Sequence, residues 1–443
     1  MTEEKKNSSD NSFEKVLAEP LDRRTFLNKS VKYGIGGLVG VSLFASFLAA
    51  CSKAPVNSGG TDNKGEIVVA AVVALTGPNA AWGQKTWDAF QMACDIINEN
   101  GGIESLGGAK LKYIVGDTES KPEIASSQTQ SVIEKGAVVV IGCNQSAATM
   151  IATQVCERQK VPFITGSDVD SKITSRGFKY TFMVPPVQEA YANTLLNYVK
   201  EMGEKTGQKV NKIAVLCENS TTGQDAAKAA EKVGKNLGFD VVDVSTYDAS
   251  TTPEVSGFIS KYKSAGVELV IGHNKPNDAI EITRQMKQLR YNPMAYAGML
   301  GGHTSEEYIN VLGTDADYVL ATAGWNDDVD IPGMEELKKK YTDRFNENMD
   351  VQSAAGFSVA ALIWHALETT KSNDRDKLRD AIASVNIKSG DKNFLHVPGC
   401  KFDNTGYNEL ASGVVMQIKD KQRRTVYPFD LAKTESVWPK PVW

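Results

Sequence analysis

The chain contains 443 residues, of which 41% are hydrophobic and 23% charged, and its formal net charge is −5. This mildly acidic balance, with no basic stripe, argues against nucleic acid as a partner. The residues beyond position 65 outnumber the roughly 250–300 at which a single core stops growing, so two domains are expected. The six cysteines include no CxxC pair, so their spacing indicates no metal site and fixes no disulfide pairing.

The first element along the chain is an apolar segment near the N-terminus. Arg23-Arg24 precede a charge-free run of 17 residues over 34–50, whose last residues and the one that follows read Leu48-Ala49-Ala50-Cys51. The run is shorter than the roughly 20 residues that a membrane-spanning helix needs, which disfavours the alternative of an ordinary anchor helix. The arginine pair resembles a twin-arginine export signal, and the last four residues resemble a bacterial lipobox. The resemblance implies a signal over 1–50 that is cleaved before Cys51, whose thiol receives a lipid.

A tether and a first α/β module follow the signal. Residues 51–65 are rich in serine, glycine and asparagine and are predicted to form a flexible tether. Beyond them, runs rich in valine and isoleucine alternate with apolar residues at helical spacing, which is typical of parallel sheets. The first module has predicted strands at 67–75, 111–116, 138–142 and 161–165 and helices at 87–98, 122–135 and 147–159.

The same alternation is repeated after residue 180. Predicted strands at 180–184, 212–217, 241–247, 269–272 and 294–297 alternate with helices at 189–202, 223–237, 252–265 and 277–289. A strand at 318–322, helices at 334–345 and 351–370 and an alternating segment at 413–419 must add to the two sheets, because no third complete module fits. The pattern predicts an α/β fold with two similar modules in series.

The candidate binding positions are the turns that follow the predicted strands. In open parallel sheets, ligands bind beyond the carboxyl ends of the strands. These turns are rich in hydroxyls and amides, and several precede a helix, whose N-terminal N–H groups attract a carboxylate.

The sequence contains no catalytic or metal motif. There is no Gly-x-Ser-x-Gly elbow, Walker loop or His-Glu-x-x-His sequence, and the four histidines lack metal-ligand spacing. A site made of hydroxyls, amides and backbone donors without a poised base is typical of recognition. We therefore expect a binding protein with no enzyme activity, cofactor or metal.

Several short motifs resemble one family of binding proteins. They are the turn Thr76-Gly77-Pro78, the helix end Ile97-Asn98-Glu99-Asn100-Gly101-Gly102-Ile103, and the segments 116–118, 140–142 and 161–164. Together they resemble the type I periplasmic binding proteins of the branched-chain amino acid and amide group, the leucine-binding protein-like family. The resemblance implies two Rossmann-like lobes with parallel central sheets, joined by a three-crossover hinge and closing on a small molecule.

The resemblance also implies a division of the chain. The predicted N-terminal lobe comprises 66–184 plus 319–397, and the C-terminal lobe comprises 185–318 plus 398–433. Residues 434–443 are predicted to form a C-terminal tail.

Carried over position by position, the resemblance places four ligand-binding residues in the first lobe. Ser146, next to Ala147, matches the hydroxyl residue that binds the ligand carboxylate together with nearby backbone N–H groups. Ser167 and Asp168 match the next binding turn. Asp168 either supplies a negative charge for a cationic nitrogen of the ligand or caps the segment that follows it, and the sequence leaves both alternatives open.

Further positions fall in the second lobe. Thr222 lies where an aromatic residue often closes over the ligand, and Asn274 or Lys275 lies at a second such place. Lys275 either attracts an anionic group or is simply solvated, and solvation is favoured because lysine is mostly exposed. Met299 or Leu300 falls near the acidic residue that pairs the ligand ammonium in branched-chain amino acid receptors. That acidic residue is missing here, which puts leucine, isoleucine and valine in doubt as the solute.

Two tryptophans complete the candidate site. Trp82 and Trp325 lie near the first turn and the second predicted hinge, where they form either a wall of the site or part of the packing between lobes. The sequence as a whole predicts an extracytoplasmic, lipid-anchored protein that captures an amino acid or a related amide or carboxylate for uptake. Its expected partners are the solute, the permease subunits of an ABC transporter and the membrane that holds the lipid on Cys51. The alternative is a sensory receptor lipoprotein that is not coupled to transport.

Overall fold

A computed structural model describes residues 65–248, 254–329, 333–387, 399–432 and 434–443. The predicted signal, the lipid-attachment residue Cys51 and the tether up to residue 64 lie outside the described residues. Within the described ranges, none of the helices combines the length and the hydrophobicity that a membrane span requires.

Two large sheets organise the described chain. The first has the order β2-β1-β3-β4-β5 and is parallel throughout. Its strands are β1 (Glu66–Val73), β2 (Lys110–Asp117), β3 (Val139–Cys143), β4 (Phe163–Thr165) and β5 (Thr181–Met183).

The second sheet is mixed and has the order β14-β13-β10-β9-β8-β6-β7. Its parallel strands are β6 (Lys212–Glu218), β7 (Asp240–Tyr247), β8 (Leu269–Gly272), β9 (Ala295–Met299) and β10 (Leu320–Ala323). Two antiparallel strands, β13 (Val414–Lys419) and β14 (Gln422–Tyr427), complete one side. A separate small pair joins β11 (Asn386–Ile387) and β12 (Cys400–Lys401).

Eleven helices lie in the described residues and cover the sheets. In chain order they are α1 (Ala80–Glu99), α2 (Ala125–Glu134), α3 (Ser146–Gln159), α4 (Gln188–Thr206), α5 (Thr221–Asn236), α6 (Ser256–Ala265), α7 (Pro276–Gln288), α8 (Glu306–Leu312), α9 (Met334–Phe345), α10 (Val351–Thr370) and α11 (Arg375–Ala383).

The two faces of the first sheet are covered by different helices. Along β1, Val69, Ala71 and Val73 pack in one apolar cluster with α1 and α10. Ala70 and Val72 pack in another cluster with α2 and α3. Successive side chains of a strand point to opposite faces, so a strand that is buried on both faces reads as one continuous apolar run.

The second sheet is built in the same way. Along β6, Ile213 and Val215 pack with α4 and α5, whereas Ala214 and Leu216 pack with α6, α7 and α8. The structure therefore contains two α/β lobes, each with its own apolar interior on both sides of a central sheet, as the sequence predicts.

The chain passes between the two sheets at three places. It leaves the first sheet after β5, returns after β10, and crosses again in the segment that precedes β13. The first two passages start from the carboxyl ends of parallel strands. The carboxyl edges of both sheets therefore lie on the side where the connections run.

The strand pairing differs from the predicted lobe boundaries at two places. β10 lies in the second sheet, where Leu320 is paired with Ala297 of β9, although residues from 319 onward were assigned to the first lobe. Residues from 398 onward were assigned to the second lobe, but Met183 of β5 in the first sheet donates its N–H to Gly406 O at 2.8 Å. Strand pairing is a long-range contact, so the local pattern did not reveal either partner. The other predicted lobe limits remain predictions.

The C-terminal segment and the cysteines add to the interior. The N–H of Val437 donates to Gln417 Oε1 at 2.8 Å and that of Lys440 to Met294 O at 2.8 Å, so the predicted tail is attached to the second lobe. The five described cysteines are all buried and unpaired.

Candidate binding cleft at the carboxyl ends of the strands

The turn after β1 is held by a carboxylate from the neighbouring strand. Asp117 Oδ1 accepts from Leu75 N at 2.8 Å and from Glu119 N at 2.8 Å, and Oδ2 accepts from Thr76 Oγ1 at 2.8 Å. Partial burial acts to raise the pKa of Asp117, but these hydrogen bonds outweigh it and lower the pKa. Gly77 has a φ of +84°, and a Cβ there would lie 2.7 Å from Glu119 O. The Thr-Gly-Pro turn is thus held in place against the turn that follows β2.

Ser146 and Ala147 begin helix α3 directly after β3. The residue before the helix, Gln145, makes no side-chain hydrogen bond that caps it. The Ser146 side chain is half-buried and Ala147 is exposed. A helix start whose N–H groups lack a side-chain cap offers donors and a positive partial charge to an anion. These two residues therefore suit the predicted contact with a carboxylate.

Asp168 is tied into the protein by two threonines. Its Oδ2 accepts from Thr149 Oγ1 at 2.7 Å and from Thr165 Oγ1 at 2.6 Å, and its side chain is 3% exposed. Burial raises the pKa of Asp168 to about 6 although the hydrogen bonds act in the opposite direction. The sequence left open whether this side chain pairs with a cationic nitrogen of the ligand or caps the segment that follows it. These bonds fit neither role, because the carboxylate connects the turn after β4 to helix α3. The helical turn that follows is capped by Asp170, which accepts from Lys172 N at 2.9 Å.

Asn144 is a residue of this edge that the sequence did not single out. Its Nδ2 donates to Thr86 Oγ1 at 2.8 Å, to Gln352 Oε1 at 2.9 Å and to Ser167 Oγ at 3.0 Å. Ser167 is half-buried beside it. Asn144 has a φ of 68°, in the left-handed region that asparagine tolerates better than most residues. An asparagine directly after a strand is the signal that could have identified it.

In the second lobe, Thr222 lies in the first turn of α5 and is half-buried. Ser220 caps this helix by accepting from Gly223 N at 3.0 Å. The Ser220 hydroxyl in turn donates to Glu218 Oε1 at 2.9 Å. Glu218, the last residue of β6, is 6% exposed and was not among the predicted site residues.

Asn274 and Lys275 follow β8 and differ in their surroundings. Asn274 is buried, and its Nδ2 donates to Leu216 O at 3.0 Å and to Tyr247 Oη at 3.1 Å. Its amide nitrogen thus joins the ends of three strands. Lys275 is exposed, and its Nζ lies 3.9 Å from Glu218 Oε2.

Two predicted site residues have their side chains in apolar interiors. Met299 is 1% exposed and packs in the core beneath α4, while its carbonyl accepts from His273 Nδ1 at 2.7 Å. Trp325 is 3% exposed in the cluster formed with α1 and α10, so its packing alternative is favoured. Trp82, in contrast, is 53% exposed. Met299 and Trp325 were chosen by their place in the chain, which does not show the direction of a side chain.

Several buried polar atoms without a partner lie along these edges. Within the part of the chain that the structure describes, they include Thr118 Oγ1, Asn144 Oδ1, Gln145 Oε1, both polar atoms of the Gln188 side chain, Glu218 Oε2, Asn274 Oδ1 and, after β10, Trp325 Nε1. A buried polar atom left unpaired costs about 1–3 kcal/mol, so such a group of atoms suits a site that a polar ligand or water completes. The described residues contain no group of three or more His, Cys, Asp or Glu side chains able to hold a metal ion.

Comparisons with known proteins agree with this geometry. A family described as periplasmic binding protein matches residues 66–421. The Leu/Ile/Val-binding protein homolog 7 of Brucella abortus (strain 2308) is 27% identical over 402 residues, which cover 88% of this chain and 98% of that protein.

Two solved structures share the fold. The branched-chain amino acid transporter substrate binding protein LivJ of Streptococcus pneumoniae, in complex with isoleucine, has a TM-score of 0.66 at 20% identity and covers 84% of this chain and 100% of its own. A solute binding protein of an ABC transporter from R. palustris, in complex with benzoate, has a TM-score of 0.64 at 16% identity and covers 82% of this chain and 96% of its own.

Proposed function

The chain belongs to the periplasmic binding protein family, in its type I branched-chain amino acid group, and on that basis we propose that it captures a small polar solute between its two lobes and presents it to the permease of an ABC transporter. Export and lipid attachment at Cys51 are part of this proposal. The family consists of binding proteins, and the site offers hydroxyls, amides and helix N–H groups, so we infer capture without chemical conversion of the solute.

The observation that carries the proposal is the set of unpartnered buried polar atoms on both carboxyl edges. Asn144 and Gln145 contribute such atoms from the first sheet, and Glu218 and Asn274 contribute them from the second, within the described residues. A solute that pairs with both edges stabilises the closed arrangement by contacts that an open arrangement cannot make.

The solute class that we propose is an amino acid or a related amide or carboxylate. The start of α3, with Ser146 and the N–H of Ala147, supplies donors for a carboxylate. LivJ of S. pneumoniae was solved with isoleucine and the R. palustris protein with benzoate, and both of these ligands contain a carboxylate.

A ligand screen with one matched pair of variants tests the proposal. Thermal unfolding of the purified chain with amino acids, amides and aromatic carboxylates should reveal at least one compound that raises the unfolding temperature, because binding to the folded state stabilises it. Calorimetry with that compound should show that Ser146→Ala weakens binding by about 0.5–3 kcal/mol, the range for losing a hydrogen bond to a neutral or charged partner. Ser127→Ala removes an exposed hydroxyl from α2 and should bind like the wild type.

Two results would count against the proposal. If no compound of the panel shifts the unfolding temperature, the solute class is wrong. If Ser146→Ala binds as tightly as Ser127→Ala, Ser146 is not a ligand contact.

A further inference from the structure

His303 is a fully buried histidine whose ring makes no hydrogen bond to the described residues. It lies in the short helical turn Gly301–Thr304, which follows β9 at the carboxyl edge of the second sheet. Its exposed fraction is 0%, and both ring nitrogens, Nδ1 and Nε2, are buried without a partner in this part of the chain. A neutral imidazole carries one N–H donor and one acceptor nitrogen, so both polar groups of this ring are unsatisfied.

Packing contacts hold the His303 ring in place. A Cβ on Gly298 of β9 would lie 2.3 Å from His303 Cγ, so the ring covers the backbone of that strand. The ring centroid of Tyr296 lies 5.0 Å away in an edge arrangement, and that of Tyr308 in α8 lies 5.1 Å away. Tyr296 Oη is itself buried and unpaired among the described residues, whereas Tyr308 Oη pairs with Thr283 Oγ1 at 2.8 Å. The two tyrosines thus enclose the ring without accepting a hydrogen bond from it.

The turn that carries His303 is attached to the turn that follows β8. The N–H of Gly302 donates to Asn274 O at 2.7 Å. His273 donates from Nδ1 to Met299 O at 2.7 Å, at the end of β9. A movement of the His303 ring out of its packed position would therefore break contacts between two neighbouring turns of the cleft edge.

The titratable groups on the adjoining strands and on α8 disfavour a positive charge on His303. Burial lowers the pKa of His303 from 6.5 to about 3, and repulsion from His273 acts in the same direction. Burial also lowers the pKa of His273, although its bond to a carbonyl and the charge of Glu218 act in the opposite direction. Burial raises the pKa values of Tyr296 and Tyr308, so both hydroxyls are neutral.

Charged groups from the other elements around the turn are paired with groups other than His303. Arg423 of β14 donates to Thr304 O at 2.7 Å, and its guanidinium also pairs with Glu306 of α8 at 2.7 Å. In α7, Asp278 accepts from a tyrosine hydroxyl of β7 at 3.0 Å. Strand β10, with the sequence Leu-Ala-Thr-Ala, has no titratable side chain. Within the described structure, a proton on His303 would therefore be an uncompensated buried charge.

Release of the turn would remove this penalty, because the ring would then reach water and regain its ordinary pKa of 6.5. The released turn therefore takes up a proton at a pH at which the attached turn does not. Below about pH 6.5, each unit of acidification favours the released turn about tenfold over the attached one. This gain ends near pH 3, where the attached turn is protonated as well.

We propose that His303 is an acid-sensitive latch: protonation of its ring releases the turn Gly301–Thr304 from β9 and from the turn that follows β8. His273 is the partner that holds the other end of the same segment through Met299 O. The release is a property of the second lobe and requires no solute, so it is independent of the proposed function.

Hydrogen exchange of the wild-type chain measures the release directly. Peptides that cover residues 294–305 report on the hydrogen-bonded amides of Leu300, Gly302 and Ser305. Their protection factor, the intrinsic exchange rate divided by the measured rate, should fall about tenfold or more from pH 6 to pH 5, because the released turn gains a proton. Peptides from β1 in the first lobe should not show this fall. A protection factor at 294–305 that stays constant over this interval would overturn the inference.

The variant His303→Phe identifies the group that takes up the proton. Phenylalanine keeps an aromatic ring between the two tyrosines but cannot be protonated. The protection factor of the wild type divided by that of His303→Phe should therefore fall about tenfold from pH 6 to pH 5. His365→Gln, on α10 in the first lobe, is the matched control and should behave like the wild type. An equal fall in His303→Phe and the wild type would assign the pH dependence to another group and overturn the inference.

A second variant keeps the test decisive if phenylalanine disturbs the packing. His303→Leu has a smaller apolar side chain that also cannot be protonated, and the same ratio should fall about tenfold between pH 6 and pH 5. A ratio that stays level for this variant would likewise overturn the role of His303.

Discussion

The buried carboxyl of Asp168 should make the free energy of unfolding depend on pH. The variant Asp168→Asn has no carboxyl at this position and should lose this contribution. Burial raises the pKa of Asp168 from its usual 3.8 to about 6. At pH values below both, the carboxyl is protonated in the folded and the unfolded chain alike. Between about pH 4 and pH 6 the folded chain keeps a proton that the unfolded chain has lost, so the free energy of unfolding falls as the pH rises.

The magnitude follows from the interval between the two pKa values. Each pH unit of that interval is worth about 1.4 kcal/mol. The interval from 3.8 to about 6 thus corresponds to a loss of about 3 kcal/mol in the wild type between about pH 4 and pH 7. In Asp168→Asn the amide oxygen still accepts the hydroxyls of Thr149 and Thr165, but no proton is exchanged. The free energy of unfolding of the wild type minus that of Asp168→Asn should therefore fall by about 3 kcal/mol between about pH 4 and pH 7.

Urea unfolding monitored by tryptophan fluorescence at several pH values from 4 to 8 measures this difference. Ser167→Ala is the control, because it changes the same turn without removing a carboxyl, and its difference from the wild type should stay constant. A difference between the wild type and Asp168→Asn that is level from pH 4 to pH 7 would refute the reasoning that burial holds a proton on this carboxyl.

Two further variants test the packing that positions the cleft. Gly83→Ala places a Cβ only 1.9 Å from Ala74 O, so urea unfolding should show that the free energy of unfolding falls by about 1–3 kcal/mol or more. Gly257→Ala is the control: its Cβ meets nothing within 4 Å, and the change should be neutral or stabilising. Equal losses in both variants would contradict the close approach of α1 to the end of β1. Asp350 caps helix α10, because its Oδ1 accepts from Gln352 N at 2.9 Å. Asp350→Ala removes this cap and should lower the free energy of unfolding by about 1 kcal/mol in the same measurement. Asp350→Asn keeps an acceptor and should cost less, and a loss as large as that of the alanine variant would assign the effect to the charge.

The local sequence predicted most of the elements that build the lobes. Each of the parallel strands was located from the sequence, and most of them are short apolar runs that contain valine or isoleucine. The prediction was weaker where the pattern was polar or short. β14 contains Arg423 and Arg424 and was missed, and α11, capped by Asp374, was missed as well. Helix α1 begins at Ala80 and not at residue 87, because its first turns carry few apolar residues.

The turns after the parallel strands follow from the order of elements, but the state of their side chains does not. Ser146 was singled out among these turns by the family resemblance; the structure places it at the start of α3, and its contact with a ligand stays a prediction. The roles of Asp168 and Glu218 depend on residues distant in the chain or on neighbouring strands. Asp168 uses its carboxylate to bind Thr149, whereas Glu218 leaves one oxygen unpaired within the described residues.

The sequence by itself determined the two α/β modules and the turns that carry polar groups, because the spacing of apolar residues and the chemistry of turns are local properties. Only the tertiary structure decided that β10 joins the second sheet and that Met299 and Trp325 point into apolar interiors. It also decided that the side-chain amide nitrogen of Asn274 donates a hydrogen bond to Leu216 O. The reason is physical: strand pairing and the satisfaction of buried polar groups are set by long-range contacts, which form only when distant segments of the chain meet.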